Sequence, residues 1–460
     1  MTVNLQDDLE RVRVQALQYL IVATVGTVML LDGLDIQLAA FTAPLIIEEW
    51  SMTKHAFAPV LAAAMIGMVP GAIVGGWFGD RLGRRWTLIG CALLFGTVTV
   101  ACSFAQSTMH LVLLRFIGGV GFGAVMPVAA AMLAEWMPRR AAGQAISIMA
   151  IGFPLGGMIG AAGASWILEH LGWRACFLIG GLPPILFALL MMAYLPETPA
   201  FLLRRGKQEE LSALLKRAWG KSGYEPAARY VLAAQIDESR STSHLLAREN
   251  LRTNVGLWLT FTAHLAATYS ILNWMPVLLT GLDMSIQLAL RGALIFNFGA
   301  IAGSIIVPQL ILRTGSRATM LALLTVAGIA VLGMIAAIRF LAADDPLFHS
   351  VIFTSAGVNG FCMGALTTCL FAVAAHSYET QYRSRGLGVA SAFGRLGGIA
   401  STFAGGIVLS AGGESLFLLA LLAVLATALV GTSIVDRHLA STMRPRADSA
   451  TQPQRPIASR

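Results

Sequence analysis

The amino-acid sequence predicts an all-α integral membrane protein whose twelve transmembrane helices fall into two six-helix halves. Three observations carry this. The chain has 460 residues, of which 56% are hydrophobic and 12% charged, with a mean hydropathy of +0.72. A soluble domain is about 25% charged, so too little polar surface exists to cover a soluble particle. Apolar runs of the roughly 20 residues that cross a bilayer core of ~30 Å recur along the whole chain. One long polar stretch, 196–252, divides these runs evenly.

The predicted spans lie at about 16–42, 57–79, 86–106, 109–134, 142–168 and 173–195, and then at about 253–281, 287–312, 318–342, 348–376, 385–411 and 415–436. Each is bounded by charge, proline or glycine-rich turns. The first run is long and has no small-residue cleavage site before its acids, so it reads as a span rather than a leader. Within the polar stretch, KQEELSALLKRAWG (207–220) has helical apolar spacing and predicts a surface helix. The expected organisation is an N-terminal half over 1–195, a central loop over 196–252, a C-terminal half over 253–436 and a basic tail over 437–460.

Orientation follows from the basic residues. Of the 32 Lys and Arg, Lys54, Arg174, Arg291 and Arg339 fall on the side away from the termini, and Arg115 and Arg395 fall within spans. All the others sit in the termini, the central loop or the loops on the same side as these. Cytoplasmic loops hold the positive excess, and the excess persists when the long central loop is left out. Both termini are therefore expected in the cytoplasm and the protein in the inner membrane. The net charge of +8 is this asymmetry plus the tail segment RHLASTMRPR (437–446), not a nucleic-acid footprint.

No enzyme chemistry is visible. Cys91, Cys102, Cys176, Cys362 and Cys369 all lie in spans without a CxxC pair and read as small apolar residues. GVGFGA (119–124) matches a loose dinucleotide pattern, but no strand precedes it, and close helix packing explains it better. Neither a metal nor a cofactor is expected.

The halves echo one another. GGWFGDRLGRRWTL (75–88) and PQLILRTGSRATML (308–321) occupy equivalent links, GGVGFGAVMP (118–127) parallels GVNGFCMGAL (357–366), and PRRAAGQA (138–145) parallels QYRSRGLGVA (381–390). Parallel six-helix repeats mark one transporter architecture, with a site near the midplane between them. The motifs then become specific. GDRLGRR (79–85), RFIGGVGFGAVMP (115–127) and LPETPAFL (195–202) resemble signatures of the major facilitator superfamily. The Asp32-Gly33-Leu34-Asp35 run, GFPLGGMIGA (152–161) with GWRACFLIGGLPPI (172–185), LNWMP (272–276) and GRLGG (394–398) resemble those of its aromatic acid:proton symporters. The resemblance implies the major facilitator fold and proton-coupled import of a small, hydroxybenzoate-like aromatic carboxylate by one chain acting as a monomer. The sequence departs from the pattern at Leu312, where an acid would parallel Asp80, and at Glu379, where the family has proline.

Asp32 and Asp35 stand three apart, on neighbouring positions of one helix face. A charge at bilayer depth costs at least ~2.5 kcal/mol on insertion scales, so a pair of acids there needs a reason. Proton or substrate coupling is one; a structural hydrogen bond to a neighbouring helix is the other. Arg395 lies about ten residues into its span, ~15 Å deep at 1.5 Å per residue. Its planar fork suits a carboxylate, whether the substrate's or that of Asp32 or Asp35. The resemblance gives Arg115 a role in coupling or substrate passage, with a packing ion pair as the alternative. On the cytoplasmic link, the resemblance makes Asp80, Arg81, Arg84, Arg85 and Glu135 a latch between the halves; anchoring by positive charge alone also explains the arginines. A helix N-terminus beside Asp80 would favour its charge. A ring ligand needs aromatic and amide lining, for which the seventh span offers His264, Tyr269, Asn273 and Trp274 and the eighth offers Asn297. His264 is expected to face the cavity or to be a packed histidine bonded to a carbonyl, and Trp274 to line the cavity or anchor at the membrane interface. A further alternative is a symporter for another organic acid or a sugar, or a drug exporter. A non-transporting sensor is disfavoured because no signalling domain is appended.

Overall fold

A computed structural model of the chain describes residues 2–4, 10, 14–219, 229–231, 248–342, 345–378 and 383–440. Glu379 and most of the basic tail lie outside these residues. Thirteen helices are described: α1 (Ala16–Glu49), α2 (Lys54–Leu82), α3 (Arg84–Cys102), α4 (Thr108–Trp136), α5 (Arg139–His170), α6 (Gly172–Tyr194), α7 (Pro199–Arg204), α8 (Gln208–Trp219), α9 (Arg248–Thr280), α10 (Ile286–Thr314), α11 (Ser316–Phe340), α12 (Pro346–Ser377) and α13 (Arg383–Ile434). Eleven of them are long and apolar enough to cross a membrane. The last, α13, is broken at Gly412 and Gly413 and so supplies two crossings, which gives the expected twelve. Helix ends run past the expected spans, α1 by seven residues to Glu49, because a helix does not stop where the hydrocarbon does.

Local chemistry sets the boundaries. Thr53, Ser107, Thr198 and Ser285 accept from the backbone N–H three residues on, at the starts of α2, α4, α7 and α10. Asp345 accepts from the N–H of Leu347, two residues on, at the start of α12. Gly83 (φ 99°) ends α2 and Gly315 (φ 80°) ends α10. A left-handed residue without a Cβ lets the chain reverse into the next helix within one residue. The two turns stand at equivalent places in the two halves.

Small residues then let helix pairs touch. In the N-terminal half a Cβ on Gly67 would come within 2.1 Å of the Phe116 carbonyl oxygen, and one on Gly119 within 2.2 Å of that of Ala64. The same seam recurs between α10 and α12, where a Cβ on Gly360 would lie 2.0 Å from the Phe296 oxygen. In lipid no hydrophobic effect draws helices together, so close backbone approach and dispersion do. GVGFGA is accordingly part of a packing seam.

The helix predicted near 207–220 is α8. It buries Leu211, Leu215 and Trp219 against the ends of the N-terminal half. One feature was not anticipated from sequence: Thr2–Asn4 and Arg229–Val231 pair as two short parallel strands, tying the N-terminus to the central segment.

The buried core is asymmetric across the membrane. One apolar cluster joins both halves, but its N-terminal-half members come from the ends of helices remote from the termini, such as Leu38–Phe41, Phe57–Leu61 and Trp173. A second cluster fills the termini side of the N-terminal half alone. Among the described residues, the halves therefore share an apolar core near the face away from the termini, the far face.

Candidate functional site

The polar contacts between the halves follow the same asymmetry. Lys54 at the start of α2 bridges to Glu414, just past the break in α13, at 2.9 Å, and the N–H of His55 donates to Ser410 at 3.0 Å. Deeper in, the Asn297 amide donates to Gln37 Oε1 at 3.0 Å, and the Gln37 amide reaches Asn297 Oδ1 at 3.4 Å. Gln37 fits there because residue 157 on α5 is glycine; a Cβ would lie 2.0 Å from the Gln37 nitrogen. This layer closes the space between the halves toward the far face.

Around the middle of α1 the two acids have different environments. Asp35 is fully buried and satisfied. The Thr99 hydroxyl lies 2.8 and 2.7 Å from its two oxygens, and Arg115 Nη1 donates to Oδ1 at 3.0 Å. Arg115 Nη2 donates to the carbonyls of Asp35 and Ile36, both at 3.1 Å. Asp32 is 3% exposed, makes no hydrogen bond among the described residues, and its Oδ1 is sealed from solvent. The charges that act on it are those of Asp35, Arg395 and Arg115.

Arg395 on α13 is half-buried and makes no hydrogen bond or ion pair among the described residues. Asp35 is paired to Arg115 and not to Arg395. Tyr269 on α9 lies within the electrostatic reach of Arg395, its ring against Gly398, where a Cβ would fall 2.8 Å from Cδ2. One turn further, the Asn273 amide donates to the Thr402 hydroxyl at 2.9 Å. Trp274 is fully buried with its Nε1–H on the Thr402 carbonyl at 3.0 Å, so it sits inside the protein and not at the lipid interface. His264 is 1% exposed and faces α12, its Nε2 2.8 Å from Thr367 Oγ1. It packs within the C-terminal half and not on the space between the halves, and its partner is a hydroxyl, not a carbonyl.

On the termini side, Arg84 joins Asp80 at 2.8 Å and Glu135 at 3.2 Å, and Arg204 approaches Asp80 at 3.8 Å. Arg81 lies over the Trp77 ring at 4.2 Å, and Arg85 donates to the Met192 carbonyl at 2.6 Å. These contacts lie within the N-terminal half and the start of the central segment, and none of them reaches the C-terminal half. Asp80 is in the last turn of α2 and accepts no backbone N–H of α3 among the described residues; Glu197 does. Glu197 accepts from the N–H groups of Arg84, Arg85 and Thr198 at 3.0, 3.2 and 2.9 Å, satisfying donors that open α3. Burial pushes its carboxyl above the ordinary value, against the pull of those three bonds. The signal for it was in the sequence, as the acid of LPETPAFL.

The Arg115–Asp35 pair makes a direct test of the packing. Removing one partner of a buried pair leaves an uncompensated charge and costs about 3–5 kcal/mol. Arg115→Ala is expected to lose that much stability, and Arg115→Ala with Asp35→Asn to regain most of it, read as thermal unfolding of the purified protein. A single mutant as stable as wild type would contradict the pairing.

Residues 25–343 match the Major Facilitator Superfamily model. The chain is 30% identical over 412 residues to a gallate transporter of Pseudomonas putida, covering 89% of this chain and 90% of that one. It is 27% identical to the 4-hydroxybenzoate transporter PcaK of Acinetobacter baylyi, covering 92% of each. Among solved structures it resembles the inward-open xylose transporter XylE of E. coli, with a TM-score of 0.69 at 17% identity over 91% of this chain and 95% of that one; at that identity the likeness speaks for the fold. The family match, the relatives and the twelve crossings agree: the chain belongs to the Major Facilitator Superfamily and is a multi-pass membrane transporter, not an enzyme.

Proposed function

We propose that the protein imports a small aromatic carboxylate together with protons, by alternating access. The observation that carries this is the guanidinium of Arg395 and the carboxyl of Asp32, each without a hydrogen-bond or ion-pair partner among the described residues and within electrostatic reach of one another. A permanent cation in that position calls for an anion, and a carboxylate meets its donor fork in two places. Relatives named as transporters of gallate, 4-hydroxybenzoate, benzoate and 3-(3-hydroxy-phenyl)propionate support an aromatic acid as that anion. Arg395 holds the carboxylate, Tyr269 and Asn273 contact the ring, and Asp32 takes up and releases the proton. Asp35 with Arg115 fixes the backbone that carries Asp32.

The excess of basic residues on the termini side supports a cytoplasmic position for that side in an inner-membrane protein. On that reading the form described is closed toward the periplasm, where the two halves meet. Moving between states parts the far-face layer of Lys54–Glu414 and Gln37–Asn297 while the cytoplasmic ends close. The ionic cluster of Asp80, Arg81, Arg84, Arg85 and Glu135 holds the cytoplasmic ends of the N-terminal helices as one body during that rotation. One chain supplies the whole site, and a monomer in the bilayer suffices. Coupling has an energetic reason: an inside-negative potential opposes an entering anion by ~2.3 kcal/mol per charge per 100 mV. One proton cancels that term and further protons reverse it.

Uptake into proteoliposomes tests the reading. Labelled 4-hydroxybenzoate or gallate is expected to accumulate under an outside-acid gradient and to leak back when a protonophore is added. Accumulation that is indifferent to the gradient, or a preference for sugars or aliphatic acids in the same panel, would overturn it.

A further inference from the structure

The side chains on the ring end of the site form a chain of hydrogen bonds with a fixed direction. The Thr402 hydroxyl has one proton, and its best acceptor is the Gly398 carbonyl at 2.8 Å; the alternative, Met65 Sδ, is 3.7 Å away. With its proton committed, Thr402 Oγ1 accepts, and the group 2.9 Å away on Asn273 must be the amide nitrogen. The second contact of that nitrogen is Met65 Sδ at 4.0 Å. The Asn273 carbonyl oxygen is thereby left as the free acceptor of the amide. It receives no hydrogen bond from the described residues, and Asn273 retains 8% exposure.

The rungs of the two helices line up. Gly398 of α13 abuts Tyr269 of α9, and four residues later on each helix Thr402 meets Asn273. Arg395 is seven residues before Thr402, ~10.5 Å along the axis. An aromatic acid with its carboxylate on the Arg395 fork would lay its ring along Tyr269 and direct its para or meta substituent to Asn273. What waits there is an acceptor whose donors are already engaged.

Resting on the aromatic carboxylate reading above, we infer that Asn273 Oδ1, held by Thr402, is a specificity-determining acceptor that selects rings bearing a hydrogen-bond donor. A phenolic hydroxyl satisfies it. An unsubstituted ring leaves it buried and unpaired, and a methoxy group sets oxygen against oxygen. Sites built to bond a substrate hydroxyl reject analogues without it far more strongly than size differences alone achieve.

Calorimetric binding of 4-hydroxybenzoate, 4-aminobenzoate, benzoate and 4-methoxybenzoate to the purified full-length protein tests this. Wild type is expected to bind the two donor-bearing acids at least about tenfold more tightly than the other two. Asn273→Leu is expected to bring the hydroxyl-to-benzoate ratio close to one. Thr402→Val, close in shape, frees the amide to turn its N–H outward, and the hydroxyl-to-methoxy ratio should fall by about tenfold. A pair that only holds the helices together would lower all four affinities alike and leave the ratios unmoved. Steric exclusion of the methoxy group would survive Thr402→Val. Either pattern overturns the inference, as does a wild type without donor preference. A wild type that binds benzoate without such preference sinks this inference alone, whereas one that binds no aromatic carboxylate sinks the functional reading beneath it too.

Discussion

Asp32→Asn is expected to abolish gradient-driven accumulation while sparing counterflow of substrate between two equilibrated pools. Asparagine keeps the shape of a protonated aspartic acid and cannot release a proton. The carrier can still shuttle the loaded site, but no step binds or frees the coupling ion. Asp35→Asn should behave differently. Asp35 carries the Arg115 and Thr99 bonds, and its replacement leaves a buried guanidinium without its anion, a loss of about 3–5 kcal/mol. The expected result there is a poorly folded protein and low activity in both assays. Counterflow, accumulation and thermal unfolding, measured together on the two variants, separate these outcomes. If Asp32→Asn accumulates substrate to the wild-type level, Asp32 is not the coupling acid. If Asp35→Asn is fully stable and merely uncoupled, the roles are reversed.

What a membrane makes conspicuous decides how much of this is legible in the sequence. The twelve spans were readable because crossing ~30 Å of hydrocarbon takes a stretch of apolar residues that few soluble segments imitate. Even the break between the last two spans was marked, since the glycines at 412 and 413 permit backbone angles that end a helix. Asp32, Asp35, Arg115 and Arg395 stood out because each is a charge where charges are expensive. What composition could not give was pairing. Two acids and two arginines at similar depth allow several combinations, and the choice of Arg115 for Asp35 depends on how α1 turns against α4. His264 shows the same limit: its depth was readable, but the side it faces depends on α12, about a hundred residues later. Gln37 escaped notice for a different reason. A neutral amide in a span costs much less than a charge, and its partner Asn297 is 260 residues away. Glu197 belongs to a recognisable motif, yet its role as the acceptor for the N-terminus of α3 needs the return of the chain past Gly83. The short parallel strand pair has too few residues for any period to register.

Arg395→Ala is expected to weaken substrate binding by roughly tenfold to a hundredfold, the equivalent of the ~1.5–3 kcal/mol carried by a hydrogen bond to a charged group. Arg395→Lys should fall between alanine and wild type, because lysine restores the charge but not the planar fork that meets both carboxylate oxygens. The competing role for Arg395 is to neutralise Asp32, whose carboxyl lies within its electrostatic reach although no ion pair joins them. The two roles diverge in the double variant Arg395→Ala with Asp32→Asn. If Arg395 only offsets Asp32, removing both charges returns the site to neutrality and restores near-wild-type affinity for substrate. If Arg395 anchors the carboxylate, the double variant still lacks the anchor and remains weak, whatever relief comes from losing the nearby acid. Calorimetric titration of purified wild type, both single variants and the double variant with 4-hydroxybenzoate therefore decides between them, and the absence of a direct Arg395–Asp32 bond favours the anchor.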